Sequence, residues 1–154
     1  MYRLLFVVSL FLGLANITTA QSCKSMKHKC EGYGSPYKYS GQSKGGTFEL
    51  GQTSQFKIVT FAGFKYSVSL CAEEQLDGIF FRIKEDTENG KILYDGEKDS
   101  SGYNWKQFYI EKSQSLIIEV VAPDKDPSKE IDDEDTFGCV AVTIEYYKVG
   151  KKGF

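Results

Sequence analysis

The sequence predicts an all-β protein: a single antiparallel β-sandwich, jelly-roll-like, of about eight strands and braced by two disulfides. Three observations predict it. Short apolar segments recur from Thr47 onward, each bounded by Gly, Asn, Asp or Ser. Most of them alternate apolar with polar, so each sheet should bury one face. No stretch holds a convincing helical period. Fifteen glycines, three prolines and 14% aromatic residues fit that class.

The elements follow in order. Residues 47–50 and 56–61 flank "GQTSQ", and 64–71 follows an Ala62-Gly63 step that reads as a tight hairpin. In "GIFFRIKED", Ile79, Phe81 and Ile83 alternate with Phe80, Arg82 and Lys84. "ENG" at 88–90 is a turn, and "KILYDG" is the next strand, ended by Asp95-Gly96. "NWKQFYIEK" and "QSLIIEVVAP" read as a pair joined around 112–114, and the last strand runs from Cys139 to about Lys148. A short helical turn fits 73–76. Leu116, Ile118, Val120, Ile79, Phe81, Val140 and Val142 are the expected core.

Residues 1–20 have the layout of a secretory signal peptide: Arg3, an apolar run from Leu4 to Leu14, then Thr18 and Ala20 at the −3 and −1 positions. The run is shorter than the ~20 residues that span a bilayer, and no later segment reads as transmembrane. The expected domains are therefore a signal peptide at 1–20, a lead-in at 21–46 and the sandwich at 47–154. The lead-in holds a Cys23/Cys30 loop and a Gly/Ser/Tyr-rich stretch from 31 to 46, read as a linker or an irregular edge strand. Localisation follows: secreted, or periplasmic and envelope-associated. Cys23 directly after Ser22 also raises a lipoprotein alternative, which would take that sulfur out of any disulfide.

Without residues 1–20 the chain carries 18 basic and 21 acidic side chains, a net charge of −3. That balance argues against nucleic acid as a partner. Four cysteines, Cys23, Cys30, Cys71 and Cys139, are an even set for an oxidising compartment. Cys71 and Cys139 each fall on the less apolar face of a strand, one at a strand end and one at a strand start. The expected pairing is Cys71–Cys139, leaving Cys23–Cys30. No C-x-x-C pair suggests zinc.

His28 is the one histidine, in an exposed-looking loop between lysines, and makes a poor general base; no catalytic residue and no cofactor is expected. The acidic run 124–135 offers Asp124, Asp126, Asp132, Asp133 and Asp135 as calcium ligands. Lys129 stands where an EF-hand loop needs glycine, so a solvated loop is the simpler reading and no metal is expected. Tyr33, Tyr37, Tyr39, Tyr103 and Trp105 are the candidate ligand contacts, because exposed aromatics stack on sugars; Trp105 itself, opening a strand, is read as core rather than platform.

The order of "FELGQTSQFKIVTFAGFKYSVSLC", "FRIKEDTENGKILYDG", "FYIEKSQSLIIEVVAP" and "GCVAVTIEYY" resembles uncharacterised exported proteins of Bacteroidota-type bacteria. More loosely it is similar to bacterial pre-peptidase C-terminal and GOLD-like domains, over about residues 47–148. The resemblance implies a jelly-roll-like accessory or binding module without catalysis of its own. The expected function is a secreted, non-enzymatic and monomeric module that binds a protein or glycan through end loops and exposed aromatics. The alternatives are a structural or envelope-associated protein without a soluble ligand and, third, a hydrolase.

Overall fold

The computed structural model describes residues 23, 26, 30, 32–101, 104–128 and 136–150. The signal-peptide reading, His28, Tyr103, Asp132, Asp133 and Asp135 lie outside these residues. Among the described residues nine strands form two antiparallel sheets packed face to face. The first sheet contains β1 (Lys38–Tyr39), β2 (Lys44–Glu49), β4 (Phe64–Ala72), β7 (Trp105–Ile110) and β9 (Phe137–Lys148). Strand β9 lies between β4 on one side and β1 with β2 on the other, and β7 forms the far edge. The second sheet runs β3 (Thr53–Thr60), β8 (Gln114–Val121), β5 (Phe80–Glu85) and β6 (Ile92–Asp95). A 3-10 turn, Glu74–Leu76, links β4 to β5.

Alternation sets the inner faces. Tyr66, Val68 and Leu70 of β4 and Val140, Val142 and Ile144 of β9 meet Ile58, Phe81, Ile83, Leu116, Ile118 and Val120 of the opposite sheet in one core cluster. All seven core residues expected from the sequence are in it. Phe81 and Tyr94 pack with ring centroids 5.1 Å apart.

Several connections differ from expectation. The Ala62-Gly63 step is no hairpin: β3 pairs only with β8, while β4 pairs with β7 and β9. Gly63, at φ +81°, turns the chain from one sheet into the other. The segments around 112–114 are likewise not paired, since β7 and β8 belong to different sheets. Only β5 and β6, joined through the Asn-Gly turn, are both consecutive and paired. At 62–63 a single glycine at φ > 0 carries the chain from one layer to the other, and at 111–113 the crossing is made without one. Within the Gly/Ser/Tyr-rich stretch, Lys38–Tyr39 and the start of β2 at Lys44 form edge strands that pair with β9.

Outside the second sheet lies a charged cluster. Glu119 is 6% exposed on central strand β8, flanked by β3 and β5. Its carboxylate accepts hydrogen bonds from Lys84 Nζ at 2.5 Å, from Gln55 Nε2 and from Arg82. Arg82 also bonds Asp95 at 3.0 Å and Glu97, and its guanidinium lies 4.8 Å from the Phe80 ring. Burial works to raise the Glu119 pKa, but the hydrogen bonds from Lys84 and Gln55, the Lys84 charge and the Arg82 bond together hold it below the usual carboxylate value. Asp95 is likewise lowered: burial opposes the charge and Arg82 outweighs it.

A carboxylate whose pKa falls on folding adds stability above its unfolded pKa, and that stability disappears as pH drops through the folded value. We expect urea midpoints to be flat above about pH 5 and to fall below it. Glu119→Gln should flatten that acid limb; an unchanged slope would show that the cluster does not couple to folding.

Candidate functional site

The outer face of the first sheet bears small and polar side chains: Ser67, Ser69 and Cys71 from β4, and Cys139, Ala141, Thr143 and Glu145 from β9. Small residues leave room for a second covering, and the N-terminal segment supplies it. Ser67, Ala141, Thr143 and Glu145 are all buried although they point away from the core. This sheet therefore buries both faces along β9, contrary to the one-face expectation. Two bridges anchor it to that face, Cys23–Cys139 (Cα–Cα 5.1 Å) and Cys30–Cys71 (Cα–Cα 6.0 Å).

This pairing corrects the expected Cys71–Cys139 and Cys23–Cys30. The shared face was read properly, but the register defeats the bond. Cys71 lies opposite Ala141, so Cys139 is its diagonal neighbour. Diagonal cross-strand partners sit roughly 7–8 Å apart, beyond ordinary disulfide reach. Each cysteine instead takes a partner from the strap above it. No cysteine is free, so no thiol nucleophile remains. A sulfur joined to Cys139 also carries no lipid thioether, which removes the acylation alternative at Cys23.

Beyond Cys30 the strap rises over Glu145, whose Oε2 accepts a hydrogen bond from the Tyr33 amide at 2.5 Å. Gly32 permits that approach, since a Cβ there would fall 2.5 Å from Glu145 Oε1. Four aromatic rings then run edge-to-face across the sheet. Trp105 of β7 meets Tyr33 at 5.4 Å, Tyr33 meets Tyr37 at 5.0 Å, and Tyr37 meets Tyr147 of β9 at 4.8 Å between centroids. Such geometry sets positive ring edges against negative ring faces. Burial, then the neighbouring Tyr147, Tyr33 and Glu145, pushes the Tyr37 phenol up to about 12, so it stays neutral at physiological pH.

Trp105 is thus not core. It faces outward opposite Ser69 on an edge strand, and it is 37% exposed; Tyr33 is 50% exposed. Between these two rings and the Cys30–Cys71 bridge lies a shallow groove of about 410 Å³, with Asn104 on its wall. Tyr39 stands apart in β1, exposed and opposite Glu145. Of the acidic loop, Asp126 is engaged by the Ser128 amide and hydroxyl, and Asp124 borders a polar cavity at one end of the sandwich. Among the described residues no three His, Cys, Asp or Glu side chains gather as a metal site, and no helix is long and apolar enough to cross a membrane.

No protein-family model matches the chain, and no curated protein matches it. One similar solved structure is the crystal structure of Aeromonas hydrophila PliG, a periplasmic lysozyme inhibitor of g-type lysozyme. It is 11% identical, with a TM-score of 0.46, over 76% of this chain and 93% of that one.

Proposed function

We propose that this protein is an exported, non-catalytic binding module, and that the Trp105–Tyr33 groove takes a glycan. The carrying observation is the exposed ring pair at 5.4 Å, held over a disulfide floor with an amide side chain on the wall. A sugar ring presents an apolar C–H face to aromatics and hydroxyls to polar groups, and this groove offers both. Two bridges fix the strap that carries Tyr33, so little ordering cost remains on binding. Disulfides throughout fit an oxidising, extracytoplasmic setting. With every cysteine bonded, no thiol is left to serve as a nucleophile.

The test is a glycan array probed with the oxidised protein. Specific binding should weaken about tenfold in Trp105→Ala and recover in part in Trp105→Phe. Folding stability should fall by about 1–2 kcal/mol, because Trp105 is 37% exposed and also packs edge-to-face on Tyr33, so binding is compared at a temperature where both variants are folded. Binding indifferent to Trp105 and Tyr33 would end this reading.

A further inference from the structure

We infer a second, separate site: an apolar slot between β2 and β3 that accepts the alkyl chain of a single-chain aliphatic carboxylate. The slot follows from chain geometry. β2 and β3 are consecutive but belong to opposite sheets, joined by the tight turn at 50–52, where the Gln52 amide bonds Glu49 O at 3.0 Å. They diverge from that turn, and the sandwich stays closed at this edge only where inward side chains fill the widening gap. Phe48 and Phe56 fill it near the turn.

The next inward position of β2 is Gly46, opposite buried Val140. No neighbouring atom lies within 4 Å of where its Cβ would sit. The core therefore lacks one side chain at its own margin, and a slot of about 320 Å³ opens there onto Phe48, Phe56, Val120, Val140 and Val142. That is the lower end of the size range of small-ligand sites, with the apolar walls and few polar groups those sites show.

The rim indicates the head group. Lys44, the following inward position of β2 and opposite Val142, is exposed and borders the slot. Among the described residues it forms no ion pair, as is true of most lysines here, so its ammonium is available at the mouth of the slot. An ammonium at the mouth of an apolar channel complements a carboxylate on the end of a hydrocarbon chain, and its own stem extends the apolar wall. Phosphate or sulfate alone would gain nothing from the walls; a neutral alkane would gain nothing from Lys44.

Titration with 11-(dansylamino)undecanoic acid tests the site, with decanoate and 1-decanol as competitors. The native protein should enhance dansyl emission saturably, and decanoate should displace the probe more effectively than decanol. Gly46→Leu, which fills the slot with its own side chain, should weaken probe binding about tenfold or more. Its thermal midpoint should hold or rise, which separates filling from misfolding. Lys44→Ala should weaken decanoate about three- to five-fold and decanol less than twofold, since the alcohol loses only the stem contact. Absence of saturable binding, or a folded Gly46→Leu that binds as tightly as the native protein, overturns the inference. Equal losses for acid and alcohol in Lys44→Ala overturn its carboxylate part. Trp105→Ala should leave this binding intact, so the two sites fail independently.

Discussion

Removing the Cys23–Cys139 bridge, as the Cys23→Ala/Cys139→Ala double variant, should lower the unfolding free energy by about 4–5 kcal/mol. The bridge closes a sequence separation of 116 residues, against 41 for Cys30–Cys71. In the chain-entropy account the gain grows with the logarithm of loop length, so the inner bridge should contribute about 4 kcal/mol. Because the loops are nested, the inner ring shortens the outer one, but a logarithm makes that correction only a few tenths of a kcal/mol. The double variant also frees the strap above Ala141, Thr143 and Glu145, adding exposure to the entropy term. Urea unfolding under non-reducing conditions, with Cys30–Cys71 verified intact, measures the difference. A loss under about 1 kcal/mol would mean that the strap docks through its tyrosines without help from sulfur.

Phe81→Ala should cost about 3–5 kcal/mol. Phe81 is 1% exposed in β5, opposite Val120 of β8, and its ring packs on Tyr94 at 5.1 Å. Truncation removes the largest fully buried side chain and leaves a cavity between two sheets that are pinned by their own ladders and cannot close over it. The adjacent Phe80 faces outward beneath Arg82, and Phe80→Ala should cost about 1 kcal/mol, the worth of an exposed cation–π contact and some area. The contrast between neighbours tests the strand's parity directly: similar losses at 80 and 81 would contradict the inward placement of Phe81.

Parity is also what made the fold legible in the sequence. Alternation is local, so the inward sets of β4, β5, β8 and β9 could be read from a few residues each, and their burial follows. Pairing is not local. Turn residues at 62–63 and 112–114 signal a reversal but not whether the chain returns to the same sheet, and in both places it changes layer. The disulfides failed for a related reason. Face assignment correctly placed Cys71 and Cys139 together, while the two-residue register offset and the strap above that face lay beyond any periodicity. Trp105 reads as core in the sequence yet faces outward, because an aromatic at a strand start looks the same from either face. The sequence carries a further signal: Glu119 interrupts "SLIIEVV", and a charge inside so apolar a strand implies partners, which Lys84 and Arg82 provide.

The nested connectivity bears on biosynthesis. On a chain threaded N-terminus first into an oxidising compartment, Cys23 and Cys30 arrive almost together, Cys71 later and Cys139 last. Joining thiols by order of arrival would couple Cys23 to Cys30, a bond the finished molecule lacks. The nested pairing is therefore reached on such a chain either by delaying the earliest sulfurs or by reshuffling them through thiolate exchange, and on the second route a disulfide isomerase would raise the yield.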